Sequence, residues 1–147
     1  MSFSDEYDDY NRSRMNDLIE ACDKGDWSAV NLLLSSGADV SIRNENGYTP
    51  FLIAVANGHL DIVREFLFRV PKVAGDTLLG GGATTLDVAA NYGCKEVAEL
   101  LLECPEIGTN DIDDALRTAM LAKNYNIVNL LSKYTQLEED GEYNDYD

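Results

Sequence analysis

Apolar residues recur at helical spacing within 46–67, NGYTPFLIAVANGHLDIVREFL, and turn-forming residues interrupt them at two points. Gly47 permits a tight turn, Thr49 can cap a helix with its hydroxyl, and Pro50 suits the first helical position, where an amide hydrogen would be unpaired. Gly58 suits the left-handed residue that ends a helix. The segment therefore predicts two short helices joined by a turn.

This helix–turn–helix pattern is repeated along the chain. A shift of 33 residues toward the N-terminus superposes Gly58 on Gly25, and a shift of 35 residues toward the C-terminus superposes it on Gly93. A weaker fourth copy covers 114–132. Helices this short are unstable alone, and repeats of about 33 residues with two helices each are typical of solenoids. The pattern predicts an all-α solenoid.

The second copy also resembles a known family. GYTPFLIAVANGHLDIVREFL is similar to the ankyrin repeat consensus GxTPLHxAAxxGHxxIVxxLLxxGA, and LLLSSGADV at 32–40 is similar to its closing segment. The resemblance covers roughly 15–134 and implies about four repeats with hairpin-like fingers. Their expected boundaries are 13–44, 45–78, 79–109 and 110–134.

Departures from the consensus occur in the second copy and in the end copies. Leu52 stands where the family usually has a hydrogen-bonding histidine, and Lys123 replaces the helix-ending glycine of the fourth copy. End repeats are expected to be atypical because one of their faces meets solvent.

Charge separates the chain from an ordinary globular domain. Acidic residues outnumber basic ones by 27 to 11, which gives a net charge of −16. We expect 1–12 to be a mobile acidic segment, and 135–147, with six acids and no base, to be an acidic disordered tail. An acidic chain attracts basic proteins and repels nucleic acid and anionic membranes. The alternative is that the surplus charge only keeps a small protein soluble.

Other features of the chain favour a cytoplasmic protein that is a monomer when free. The N-terminus lacks the basic and then apolar pattern of a signal peptide, and no apolar run reaches the length of a membrane span. The three cysteines form neither an even set nor a CxxC motif.

The sequence offers no constellation for chemistry. His59 is the only histidine and stands where the family commonly has one, so we expect a structural role. The glycines at 80–82 are not followed by the Gly-Lys-Ser/Thr of a phosphate loop. Asp111, Asp113 and Asp114 fall at a helix start, where carboxylates act as caps, and the calcium-loop pattern is absent. We predict no catalytic residue, no cofactor, no metal and no enzymatic activity.

The resemblance implies a binding surface on the concave face, formed by finger tips and exposed residues of the first helices. Tyr48 and Tyr92 are aromatics that a solenoid core does not need, and aromatic anchors are the usual hot spots of interfaces. With the apolar loop after the second repeat and the acidic start of the fourth, the predicted partner-binding residues are Arg43, Glu45, Asn46, Tyr48, Asn57, Leu78, Leu79, Asn91, Tyr92, Asp111 and Asp113.

Two functions fit such a surface. Small size and strong acidity favour an inhibitor, of the immunity or antagonist type, that occludes a basic protein. The alternative is a general adaptor that links cytosolic partners, which is what most proteins with such repeats do. Capture of one stoichiometric basic enzyme would indicate the inhibitor, and capture of several unrelated partners would indicate the adaptor.

Overall fold

The computed structural model describes residues 17–78 and 82–143, with side chains as far as 135. The helices follow one another in pairs: α1 (17–24), α2 (Trp27–Ser35), α3 (Pro50–Ala56), α4 (Leu60–Arg69), α5 (Thr85–Tyr92), α6 (Lys95–Leu102), α7 (Thr109–Ala122) and α8 (Tyr125–Tyr143). A 3₁₀ helix, Pro71–Gly75, follows α4. Within these described ranges there is no β-strand, only a single antiparallel bridge between Thr77 and Thr84. The predicted all-α solenoid is confirmed.

The helices form two layers. The first helices of successive repeats pack side by side, α3 on α5 and α5 on α7, while the second helices form the other layer, α2 on α4, α4 on α6 and α6 on α8. In the second, third and fourth repeats the two helices also contact each other, α3 with α4, α5 with α6 and α7 with α8. Each repeat therefore buries its apolar stripe against its own partner helix and against its neighbours, as the shortness of the helices requires.

Local sequence explains where the first helices begin. The Thr49 hydroxyl accepts a hydrogen bond from the Leu52 amide at 3.2 Å, so it caps α3 as predicted. In the next repeat the Thr84 hydroxyl accepts from the Asp87 amide at 3.2 Å. The Asp87 carboxylate accepts in return from the Thr84 amide at 3.0 Å, which completes a capping box.

The core is apolar throughout and repeats with the sequence. Phe51 of α3 and Phe66 of α4 meet edge to face, with ring centroids 5.6 Å apart. Leu52, which replaces the family histidine, is fully buried, so apolar packing takes the place of that hydrogen bond. Leu101 of α6 and Leu131 of α8 are also fully buried.

A ladder of contacts joins each repeat to the one before it. Gly25, Gly58 and Gly93 all have left-handed backbones, with φ of 77°, 69° and 79°. In the following repeat, the residue just after the helix-ending position packs closely against each of them, so that an added Cβ atom would lie 2.8–3.1 Å from its side chain. The pairs are Gly25 with His59, Gly58 with Cys94 and Gly93 with Asn124.

Two rungs of the ladder also make hydrogen bonds. His59 Nε2 lies 3.1 Å from the Asp23 carbonyl oxygen, which confirms the structural role predicted for this histidine. Asn124 Nδ2 donates to the Ala90 and Asn91 carbonyl oxygens at 2.7 and 3.0 Å. The same ladder position thus stacks a side chain on a glycine and satisfies helix-end carbonyls.

The sequence predicts an apolar loop after the second repeat, and in the structure the first part of this segment is a 3₁₀ helix. The 3₁₀ helix Pro71–Gly75 buries Val73 and Ala74, and the Thr85 hydroxyl donates to the Ala74 carbonyl oxygen at 2.7 Å. Leu78 is half-buried and packs against the core rather than standing at an exposed tip. Leu79 lies outside the described residues.

The C-terminal segment also differs from the expectation. The repeat domain was predicted to end at 134, followed by a disordered tail over 135–147, but α8 continues to Tyr143. The reason lies in local propensity, because Gln, Leu and Glu at 136–139 favour helix and no proline interrupts the segment. The last four residues and the predicted mobile segment 1–12 lie outside the described residues.

Candidate partner-binding face

Two tyrosines from different repeats meet on the surface. Tyr48 lies at the end of the first finger, just before the cap of α3, and Tyr92 is the last residue of α5. Their hydroxyl oxygens are 3.3 Å apart, and either hydroxyl can donate. The hydrogen bond with Tyr92, followed by burial, raises the pKa of Tyr48 to about 12. Tyr92 is 52% exposed, so the pair presents aromatic surface to solvent.

The first finger fixes the position of Tyr48. The Asn44 amide donates to the Tyr48 carbonyl oxygen at 2.9 Å. The Asn44 side-chain oxygen accepts from the Tyr48 amide at 3.0 Å. The turn between them closes at Gly47, whose φ is 85°. Such an Asn side-chain bond to a nearby backbone amide is a frequent way to stabilise a turn.

The tyrosine pair separates two depressions. The first, here called the amide depression, has a volume of about 350 Å³ and is lined beside the tyrosines by Asp23, Asn44, Asn46, Ile53, Ala56 and Asn57. The second, the aspartate depression, has a volume of about 180 Å³ and is lined beside the tyrosines by Leu78, Ala83, Asp87, Val88, Asn91 and Thr118.

Most of the predicted partner-binding residues converge on these two depressions. The amide depression contains Asn46 and Asn57, the aspartate depression contains Leu78 and Asn91, and Tyr48 and Tyr92 belong to both. Glu45 is exposed next to Asn46 on the same finger.

Besides Glu45, three predicted residues in the described part of the chain lie outside both depressions. Arg43 Nη1 donates to the carbonyl oxygens of Gly47 and Thr77 at 2.7 Å each, so this side chain braces one finger against the next. The Asp111 carboxylate accepts from the Gly108 amide at 2.8 Å and caps α7. Asp113 is exposed on α7.

Asp87 is the functional candidate that sequence reasoning missed. Its Oδ2 is held by the Thr84 amide, whereas its Oδ1 is buried and accepts no hydrogen bond from any residue that the structure describes. Burial is the main cause that raises the pKa of this carboxyl, and the nearby charges of Asp114 and Asp111 raise it further. The Thr-x-x-Asp capping pattern was readable in the sequence, but its place in a surface depression was not.

Neither a metal site nor a membrane span is present among the described residues. Residues 17–78 and 82–143 hold no group of three or more His, Cys, Asp or Glu residues placed to bind a metal ion. No helix in the described part of the chain has the length and apolarity needed to cross a membrane.

Comparison with known proteins agrees with the repeat pattern. The family model for ankyrin repeats (3 copies) matches residues 18–113. The probable E3 ubiquitin-protein ligase XBOS33 of Oryza sativa subsp. japonica is 40% identical over 83 residues, which are 56% of this chain and 16% of that protein. E3 ubiquitin-protein ligase XBAT33 of Arabidopsis thaliana is 34% identical over 124 residues, 82% of this chain and 23% of that protein.

A third relative has a different domain composition. Ankyrin repeat and KH domain-containing protein mask of Drosophila melanogaster is 32% identical over 90 residues, 61% of this chain and 2% of that protein. The chain therefore spans less than a quarter of the length of each of these relatives.

Proposed function

The chain belongs to the ankyrin repeat family of protein–protein interaction modules, and from this premise we propose that it is an acidic inhibitor that occludes a basic protein partner. The observation that carries the proposal is the tyrosine pair flanked by two depressions, on a chain with a net charge of −16. We further propose that the protein is located in the cytoplasm and is a monomer when no partner is bound.

The tyrosine pair supplies the anchor. Tyrosines near the centre of an interface commonly account for a large share of its binding energy, because their rings bury much area at a small entropic cost. The hydroxyl–hydroxyl contact between Tyr48 and Tyr92 holds both rings in place before a partner arrives. Such preorganisation lowers the ordering cost of binding.

Carboxylates around the pair supply the charge complementarity. Asp23 lines the amide depression and Asp87 the aspartate depression, while Asp111 and Asp114 are close enough to Asp87 to raise its pKa. A field of this sign accelerates the approach of a basic protein, and salt weakens it because the screening length is about 8 Å at physiological ionic strength. An inhibitor benefits from fast association.

The adaptor remains the second candidate, and the relatives favour it. Two of them are named as E3 ubiquitin-protein ligases, and in all three the matched residues form a small part of a longer chain. The two functions differ in stoichiometry. An inhibitor forms one complex in which the partner loses its own activity, whereas an adaptor leaves that activity intact and holds a second protein as well.

The test is a kinetic comparison on the partner that affinity capture returns. Replacing Tyr48 and Tyr92 together by Ala removes the anchor, and we expect faster dissociation with a loss of roughly 2 kcal/mol or more. Phe68→Ala is the matched control, since Phe68 is 86% exposed on α4 and lines neither depression. The wild-type association rate is expected to fall as salt rises.

Each part of the proposal has its own contradicting outcome. Full affinity in the double tyrosine variant would show that the interface lies elsewhere. An association rate that does not respond to salt would remove the role of charge. A partner that keeps its activity in a saturated complex would exclude the inhibitor and favour the adaptor.

A further inference from the structure

The aspartate depression combines three features in one place. Two tyrosines form one side of it, Leu78 and Val88 supply apolar lining, and the Asp87 carboxylate also lines it. Asp87 Oδ1 is closed to water and has no hydrogen-bond donor in the described part of the chain. Because Oδ1 is closed to water, a partner does not reach that atom directly, and what Asp87 offers to the depression is the negative charge of its carboxylate.

The size of the depression limits what can enter. Its volume of about 180 Å³ is about half that of the amide depression. This space can hold one long side chain, but neither a helix nor a strand. The wider amide depression, of about 350 Å³, continues on the other side of the tyrosine pair and leaves room for the backbone next to that side chain.

We propose that the aspartate depression is a subsite for one lysine or arginine side chain of the protein partner, an inference that rests on the proposed function. The aliphatic stem of such a residue packs against Leu78 and Val88, and its cationic group points toward Asp87. The residue thereby brings positive charge close to the Asp87 carboxylate.

The tyrosines favour a cation over a neutral group. A lysine or arginine within about 6 Å of a tyrosine ring gains roughly 0.5–2 kcal/mol from the ring quadrupole, more when water is excluded. The oxygens of Tyr48 and Tyr92 keep lone pairs that can accept from an ammonium or guanidinium group even while one hydroxyl donates to the other. Asp111 and Asp114 add negative potential behind Asp87.

An apolar side chain is the competing occupant, and Asp87 disfavours it. Covering the depression with a hydrocarbon would bury the carboxylate further without giving it a counter-charge, and burying an unpaired charge is costly. A cation offsets that cost by direct attraction in a region of low dielectric.

The test uses short peptides in place of the unidentified partner. N-acetyl-Ala-X-Ala-amide peptides with X as arginine, lysine, citrulline or norleucine are titrated into the ¹⁵N-labelled protein. We expect saturable shifts of the Val88, Asn91 and Tyr92 amide signals with arginine or lysine, and none with citrulline, which has nearly the shape of arginine but no charge. The stronger of the two cationic peptides identifies the preferred residue.

Variants assign the effect to the carboxylate. Asp87→Asn keeps an oxygen that can accept from the Thr84 amide but removes the charge, and we expect peptide affinity to fall at least tenfold. Asp87→Glu keeps the charge and the capping pattern and should retain part of the binding. Glu96→Gln removes one charge from the outer helix α6 and is the matched control, with affinity unchanged. Equal urea midpoints would show that each variant is folded.

The Asp87 carboxyl provides a second readout. Its pKa is raised in the free protein mainly by burial, so a bound cation should lower it toward the ordinary value, which carboxyl NMR can follow. Equal shifts with norleucine and arginine, or undiminished binding by Asp87→Asn, would overturn the subsite. If the peptides fail these tests but the captured partner still binds in a way that depends on salt and on the tyrosines, the subsite is wrong and the proposed function stands. If partner binding depends on neither salt nor the tyrosines, both proposals are wrong.

Discussion

The substitution Gly93→Ala tests the ladder that joins the repeats. Gly93 has a φ of 79°, a left-handed conformation that costs an L-residue about 1–2 kcal/mol. The new Cβ would lie 3.1 Å from Asn124 Oδ1 and 3.2 Å from its Cγ. Asn124 would have to shift, which weakens its two hydrogen bonds to the preceding repeat, each worth about 0.5–1.5 kcal/mol. We expect a loss of about 2–4 kcal/mol in the free energy of unfolding.

Urea unfolding followed by circular dichroism measures this loss. A loss of this size moves the midpoint by roughly 1–2 M when the slope is about 2 kcal/mol per molar. Gly75→Ala is the matched control, because Gly75 has no left-handed backbone and no atom within 4 Å of a new Cβ. This control should leave stability unchanged or raise it by up to about 1 kcal/mol. An unshifted midpoint for Gly93→Ala, or equal shifts for both variants, would refute the reasoning.

Two further predictions concern the core and one buried carboxyl. Leu101→Ala should cost about 2–5 kcal/mol, since this side chain is fully buried, and an unmoved urea midpoint would contradict the packing. Burial is the main cause that raises the pKa of the Asp76 carboxyl. The folded state therefore binds the carboxyl proton more tightly than the unfolded chain does. This contribution to stability is lost as pH rises through the folded pKa. The variant Asp76→Asn has no such carboxyl, so its free energy of unfolding should not show this fall as pH rises through the mildly acidic range. Curves of free energy against pH that run parallel for the variant and the wild type would contradict this prediction.

The features that could be read from the sequence are those set by neighbours along the chain. Thr49 and Pro50 mark the start of α3, and Gly58 its end, because capping and left-handed geometry involve only nearby residues. The same logic holds at Lys123, which takes the glycine position of the fourth copy and adopts φ of 62° without a glycine. Within the described residues no repeat follows α8, so no ladder position stands opposite Lys123.

The features that could not be read from the sequence depend on residues far apart in the chain. Arg43 was predicted to face a partner, yet it braces the carbonyl oxygen of Thr77 in the next finger. The 3₁₀ helix Pro71–Gly75 forms where Val73 and Ala74 are buried against the core, and no local sequence pattern predicts that burial. Tertiary packing decides such short irregular segments, and propensity does not.

The position of the tyrosine pair follows from how the repeats are ordered. Tyr48 ends the finger of one repeat and Tyr92 ends the first helix of the next, and stacking brings their hydroxyl groups together. Each therefore belongs to the junction between the second and third repeats, where both neighbours are present and the finger is held by Arg43. A rigid junction loses little entropy on binding, so an anchor placed there contributes more affinity than the same tyrosine on an end repeat would. The strongest binding is accordingly expected at the centre of the solenoid.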